Sequence, residues 1–300
     1  MAGLELKPRL ATEIVDAAFQ LYTKHFTTLV SISAIVFAPL LVVSLLLTGG
    51  DQTLVLTRPT TFIALGVAGW IFNSIVEAGI ALAVSDSYLK GNTDVGSVMR
   101  RVFARVSAVL VSVLAKAFII GLGLFLGAIV IVVVTAVTGG FTGVFNSGSE
   151  QTAIIFGVIA VTLSMLVGGT IALYYYACYF AVPATVVIEN LGAIGGLKRS
   201  RALSKGVKRK VLAALGTSVS VLLVIQFVTS LLMQSLPGPP AIGFVLEQAV
   251  TIVLAPIIGV IATLLYYDAR IINEGFDIEV MAADLGAATP AATPPTQPAG

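Results

Sequence analysis

The sequence predicts an all-α polytopic membrane protein with six transmembrane helices, and three observations lead to this fold class. Hydrophobic residues make up 57% of the chain and charged residues 11%, whereas soluble domains average about 45–50% and about 25%. Six apolar runs are long enough to cross a bilayer, which takes about 20 helical residues. None of the runs shows the alternation that is typical of outer-membrane barrel strands.

The six runs are placed on the chain without overlap. They cover residues 28–47, 61–84, 108–138, 152–187, 211–236 and 242–267. A segment of amphipathic pattern precedes the first, third and fifth runs, so we predict three hairpins, each introduced by an interfacial helix in the headgroup plane. We expect the integral membrane domain to cover residues 1–285. The Pro-, Ala- and Thr-rich tail, 286–300, cannot bury a core and is expected to be disordered.

Lysine and arginine are distributed very unevenly between the two sides of these hairpins. Of the 17 such residues, Arg58 alone lies in a connection on the second side, and Lys116 lies within a run. The positive-inside rule therefore predicts that both termini and the two long basic connections are cytoplasmic, in a multi-pass protein of the inner membrane. Basic residues beside spans are typical of topology signals and of contacts with anionic lipid, so nucleic acid is not an expected partner.

Positive charge is most concentrated before the fifth run, in what we name the basic segment. Its cations are Lys198, Arg199, Arg201, Lys205, Lys208, Arg209 and Lys210. An acidic cluster follows the sixth run and consists of Asp268, Glu274, Asp277 and Glu279. We expect the two sets to attract each other and to leave positive charge for anionic lipid or a partner protein. We also expect Tyr266 and Tyr267 to anchor at the headgroups, with Asp268 in water.

Three charged residues lie within the runs, namely Glu77, Lys116 and Glu247. Each costs at least about 2.5–3.5 kcal/mol at a helix centre unless it finds a partner or water. Glu77 and Lys116 lie at matched depth, so the first interpretation is a structural ion pair. The alternative is that Glu77, Asn73 and Lys116 line the polar cavity of a secondary transporter or permease. Glu247 lies near the second side, where headgroup water suffices for its charge.

Two kinds of residue predict irregular or close helix packing. Pro39, Pro183 and Pro256 fall within the first, fourth and sixth runs, where each is expected to interrupt or kink the helix. Gly123 and Gly127 form a small-xxx-small surface in the third run. That surface suits close packing with a helix of this chain or with a second copy.

The chain lacks the residues of several enzyme classes. His25 is the only histidine and Cys178 the only cysteine, which excludes a two-His zinc site, a His pair for phosphodiester cleavage and a disulfide. Neither a G-x-S-x-G elbow nor a phosphate-binding loop occurs. The acidic cluster lacks the alternating oxygen ligands of an EF-hand. We therefore expect no enzymatic activity, no cofactor and no metal site.

Most of the chain resembles the membrane domain that accompanies some glycerophosphoryl diester phosphodiesterases and also stands alone in many bacterial membrane proteins. The matching stretches are "ATEIVDAAFQLYTKHFTTLVSISAIVFAPLL", "AVPATVVIENLGAIGGLKRSRALSKG" and "LLYYDARIINEGFDIEVMAADL". Their distinctive residues are Pro183, Glu189, Lys198, Arg199, Ser200, Tyr266, Tyr267, Asp268, Arg270, Glu274, Gly275 and Asp277. The resemblance does not imply phosphodiester hydrolysis, which full-length relatives perform on a separate soluble barrel.

These observations together predict a non-catalytic integral membrane module. It is expected to bind lipid, most readily anionic lipid, or a membrane-protein partner or a second copy of itself, through its cytoplasmic helices and the basic segment. A transporter with a polar intramembrane site around Glu77 remains the alternative.

Overall fold

A computed structural model describes residues 8–51, 57–90, 93–145, 150–235 and 238–278. Within these ranges the secondary structure is helical and contains no strand. The all-α fold class is therefore confirmed. Glu279 and the predicted tail, 286–300, lie outside the described residues.

Eleven α-helices are described, and a π-helical turn, Met165–Gly169, joins the sixth to the seventh. The helices are α1 Ala11–Lys24, α2 Phe26–Thr48, α3 Pro59–Lys90, α4 Val95–Ala104, α5 Val106–Phe145, α6 Glu150–Ser164, α7 Thr170–Cys178, α8 Val182–Ile188, α9 Ala193–Leu203, α10 Lys208–Ser235 and α11 Pro240–Glu274. Six segments are long and apolar enough to cross a membrane, which confirms the predicted number. These spans are Phe26–Thr48, Pro59–Ser87, Val106–Val137, Gly157–Ile188, Lys208–Ser235 and Pro240–Glu274.

Consecutive spans pack against each other as three hairpins. Helix α2 contacts α3, α5 contacts α6 and α7, and α10 contacts α11. The core lies around α3 and α11, because 56% and 50% of the most apolar windows of the second and sixth spans are buried, against 11% for the third and fourth. The third and fourth spans therefore present most of their apolar side chains outward, where a bilayer would cover them.

Small residues set how closely the central helices approach. A Cβ atom at Gly79 of α3 would lie 2.8 Å from the Ile32 side chain of α2. A Cβ atom at Gly259 of α11 would lie 3.0 Å from Ile80 of α3. At each contact the helix with glycine therefore lets an isoleucine of its neighbour approach its backbone closely.

The small-xxx-small surface of α5 packs within the chain. A Cβ atom at Gly127 would lie 2.9 Å from the Cα of Gly168 and 2.9 Å from the carbonyl oxygen of Ser164. A Cβ atom at Gly123 would lie 2.7 Å from the side chain of Ile171. The π-helical turn and the residues that flank it are the partner of this surface, so the structure uses it inside the second hairpin.

Short helices precede the first, third and fifth spans, as predicted. These are α1, α4 and α9, and their apolar faces are buried against the bundle. Ile14 and Ala18 of α1 and Val98 and Val102 of α4 are each 0% exposed. The opposite faces are open and carry apolar as well as polar side chains, since Phe19, Phe103 and Ile194 are 44%, 55% and 69% exposed.

Helix α1 runs along the last span. Its N-terminal end meets Asp268, whose Oδ1 accepts a hydrogen bond from the Arg9 amide at 2.9 Å. Near its other end the Tyr22 hydroxyl donates to the carbonyl oxygen of Val253 at 2.6 Å. The first helix is therefore anchored at both ends to α11 and descends beside it.

The fourth span is broken next to its proline, whereas Pro39 and Pro256 lie inside continuous helices. Helix α7 ends at Cys178, and Pro183 occupies the first turn of α8. The hydroxyl of Ser200, from α9, donates to the Cys178 carbonyl oxygen and accepts from the Ala181 amide, both at 3.2 Å. A buried break leaves backbone groups without helical partners, and here a side chain from the neighbouring short helix satisfies two of them.

Candidate functional site

The basic segment and the acidic cluster meet at one end of the bundle, which we name the basic end. Ion pairs join Arg199 to Glu274 and the Lys210 Nζ to the Asp268 Oδ2, the latter at 2.8 Å. The Arg199 Nε also donates to Glu189 at 2.7 Å. The hydrogen bonds to Glu274 and Glu189 raise the pKa of the Arg199 guanidinium above its ordinary value. The attraction expected between the two charge sets is therefore present, and it ties α9 and α10 to α11.

The residues that end the sixth span are buried, so their predicted placement at the headgroups and in water is wrong. Tyr266 is 0% exposed, Tyr267 3% and Asp268 4%. The Tyr266 hydroxyl donates to Glu189 Oε1 at 2.8 Å and the Tyr267 hydroxyl to Ser85 Oγ at 2.8 Å. Because neighbouring helices supply hydrogen-bond partners, both rings can be buried without an unsatisfied hydroxyl.

Part of the basic segment is not used by these internal contacts. Lys208 donates to the Tyr174 hydroxyl at 3.0 Å and lies over its ring. Four other cations are exposed, and within the described part of the chain they have no hydrogen-bond or ion-pair partner: Lys198, Arg201, Lys205 and Arg209. Asp277 is half-buried and forms no ion pair with a described residue. The basic end thus keeps an excess of positive charge toward solvent.

A groove of about 720 Å³ lies between α5 and α7 and reaches the basic end. Phe118 and Leu122 line it from α5, and Tyr174 and Tyr175 line it from α7. Arg201 is the only charged side chain among its lining residues. The groove therefore has apolar walls and a single cation among its lining residues. It lies on the second hairpin, which the rest of the protein buries least.

A second feature lies inside the bundle. A cavity of about 520 Å³ is bounded by α3, α5, α7, α10 and α11, and we name it the inner cavity. Asn73, Glu77 and Lys116, the three polar residues singled out within the runs, all line it. The structure therefore brings them together around one space.

Glu77 and Lys116 do not form the direct ion pair that was the first interpretation of the sequence. Glu77 Oε1 accepts a hydrogen bond from the Asn73 Nδ2 at 2.9 Å. The Lys116 Nζ lies 5.1 Å from the centroid of the Tyr176 ring. Each charge contacts a neutral neighbour, and the two attract each other only at a distance. Matched depth alone therefore did not bring them into direct contact.

A second cavity of about 520 Å³, which we name the outer cavity, lies between α2, α3 and α11. Asn73 lines both cavities. Glu247, for which the sequence predicted contact with headgroup water, lines the outer cavity and is 9% exposed. Its Oε1 instead accepts from the Gln226 Nε2 at 3.3 Å. Polar side chains therefore continue from the inner cavity toward the end of the bundle opposite the basic end.

Several partners were not visible in the sequence. Glu189, Gln226 and Tyr176 hold charged or polar side chains of the candidate sites, but they lie on other helices. Depth along each span would have matched Tyr176 to Lys116, whereas no pattern in the sequence shows which helices are neighbours. Among the described residues, no three His, Cys, Asp or Glu side chains are grouped as metal ligands.

No family model, no curated protein and no solved structure matches this chain.

Proposed function

We propose that the protein is a non-catalytic integral membrane module that binds anionic lipid at its basic end. The proposal places the basic end and both termini on the cytoplasmic side of an inner membrane, which the positive-inside rule supports. The main support for the proposal is that four exposed cations of the basic segment take no part in the internal ion pairs.

The internal contacts separate two roles within the basic segment. Arg199 and Lys210 are committed to carboxylates of the same chain. Arg201, Lys205 and their exposed neighbours have no such partner in the described residues. A lysine or arginine near an anionic leaflet contributes about 1 kcal/mol of attraction. The leftover cations are therefore enough for a marked preference for anionic over zwitterionic lipid.

The groove between α5 and α7 is the site at which we propose that the anionic lipid binds. Its aromatic and aliphatic walls suit an acyl chain, and Arg201 lies where a headgroup phosphate would follow. A guanidinium binds phosphate oxygens through two parallel hydrogen bonds. The proposed occupant is thus an anionic phospholipid with one chain in the groove and its phosphate at Arg201.

The resemblance to the membrane domain of glycerophosphoryl diester phosphodiesterases belongs to the same proposal. Ser200 and Glu189, two of the residues that carry it, have structural partners at the broken fourth span and at Tyr266. In the proposed membrane domain these two residues therefore have a structural role, and we propose no hydrolytic role for the module.

The double variant Arg201→Gln, Lys205→Gln tests the proposal. We expect the unchanged protein, purified in detergent, to bind phosphatidylglycerol more tightly than phosphatidylcholine. The variant should lose most of that difference, roughly thirtyfold for two cations. Native mass spectrometry of the lipid-bound states measures both affinities.

The matched control is Lys24→Gln, Arg100→Gln, which removes two exposed cations outside the basic segment. It should keep the preference for phosphatidylglycerol. Equal binding of both lipids by the unchanged protein would contradict the proposal and favour a protein partner for the exposed cations. An equal loss in the two variants would show that total charge, and not this site, attracts the lipid.

A further inference from the structure

We propose that the inner cavity binds a small zwitterion with an apolar body, whose ammonium group meets Glu77 and whose carboxylate meets Lys116. This inference is independent of the lipid proposal, because it concerns different residues at another depth in the bundle.

The first support is that two opposite charges face one cavity without touching. Glu77 has a hydrogen bond from Asn73 and Lys116 lies over the Tyr176 ring, and the two charges attract each other without direct contact. Charged residues within a membrane span are costly and often mark functional sites. A zwitterion satisfies both charges at once, whereas an ion of either sign satisfies one and leaves the other.

The second support is the size and chemistry of the space. Its volume, about 520 Å³, lies within the range of small-molecule sites. The rest of the wall is mostly aliphatic and includes Val113, Ile120 and Ile258. An amino acid with an aliphatic or aromatic side chain has the charges and the apolar body that match these walls.

The third support is that the inner cavity is closed toward the basic end and open elsewhere. Toward the basic end, α3 and α11 close on each other through side chains such as Ile80, Val84 and Val260, which are 0%, 1% and 0% exposed. Toward the opposite end, the outer cavity adjoins the inner cavity at Asn73. On α5, the lining residues Gly121 and Leu124 are exposed. A ligand would therefore reach Glu77 and Lys116 either past the amide of Asn73 or past these two residues.

The chain contains its own reporter for this site. Trp70 is the only tryptophan, and it lines the inner cavity. Its indole fluorescence depends on the polarity around the ring, so occupancy of the cavity should change the emission. The full chain in lipid nanodiscs can therefore be titrated without a label.

The experiment compares alanine, leucine and phenylalanine with analogues that lack one charge. For leucine these are 4-methylpentanoate, without the ammonium group, and 3-methylbutylamine, without the carboxylate. We expect at least one amino acid to change the Trp70 emission saturably and to bind roughly tenfold or more tightly than its single-charge analogues. Equal binding of the analogues, or no response to all three amino acids, would overturn the proposal without any variant.

Two variants then assign the contacts. Glu77→Gln should weaken the amino acid roughly tenfold and leave the carboxylate analogue unchanged, whereas Lys116→Met should weaken the amino acid and leave the amine unchanged. Glu247→Gln, in the outer cavity, is the matched control and should leave the affinity unchanged. The same loss for all three variants would overturn the assignment, and thermal unfolding of each variant shows whether it is folded.

Discussion

Two buried serines show how much a single hydroxyl group depends on its surroundings. Ser200 and Ser33 are both 0% exposed. The Ser200 hydroxyl satisfies two backbone groups at the break in the fourth span. The Ser33 Oγ is the one buried side-chain oxygen or nitrogen in the described residues that has no hydrogen-bond partner. The same substitution should therefore have opposite effects at the two positions.

Ser200→Ala should lower the free energy of unfolding by about 1–3 kcal/mol, because it leaves the Ala181 amide and the Cys178 carbonyl group buried without this partner. Ser33→Ala removes an unsatisfied hydroxyl from the core and should be neutral or stabilising. Unfolding of the purified variants in mixed micelles measures both effects. Equal losses would show that both serines act only through their volume.

At the scale of elements, the second hairpin is held by backbone contact between α5 and the π-helical turn. Gly127 and Gly168 approach so closely that no side chain fits between them. Gly121 lies on the same helix, but a Cβ atom there would meet nothing within 4 Å. Gly127 and Gly121 therefore differ in packing although both lie within the same helix.

Gly127→Ala should destabilise the protein by about 1–3 kcal/mol, since the new methyl group would overlap backbone atoms that cannot rotate away. Gly121→Ala is the matched control, and it should be neutral or stabilise α5 by up to about 1 kcal/mol through helix propensity. Thermal unfolding of the purified variants compares them. If Gly127→Ala did not lower the unfolding temperature, the close contact between α5 and the π-helical turn would not contribute to stability.

At the scale of the whole molecule, charge is divided between two ends. The basic end holds the basic segment and its carboxylate partners, whereas Arg58 is the only lysine or arginine in the connections at the opposite end. Because the translocation of positive loops is disfavoured, this division predicts one orientation in the membrane. The lipid proposal requires the same orientation.

Single-cysteine reporters test the orientation directly. Thr60→Cys lies at the opposite end and Lys205→Cys at the basic end, and both positions are exposed. A membrane-impermeant maleimide should label Thr60→Cys in intact cells and Lys205→Cys only after permeabilisation. Cys178 is buried and should stay unlabelled in both. The reverse pattern of labelling would contradict the predicted topology.

The sequence by itself determined the fold class, the six spans and the short helices before the first, third and fifth of them. These are properties of continuous stretches, because the length and apolarity of a run set whether it can cross a bilayer. The first predicted run, 28–47, lies within the observed span Phe26–Thr48. The attraction between the basic segment and the acidic cluster was also predictable, since both sets lie on the same side.

Only the tertiary structure decided which side chains meet. A membrane helix that is apolar all round has no polar face that would show how it is rotated about its axis. Its sequence therefore indicates the depth of each side chain in the membrane but not the neighbour that the side chain faces. Tyr266 and Tyr267 could therefore be placed near the end of α11, yet their burial depends on Glu189, directly after α8, and on Ser85 in α3. For the same reason Glu77 and Lys116 could be matched in depth, while the lack of a direct ion pair between them follows from how the helices around the inner cavity are arranged and rotated.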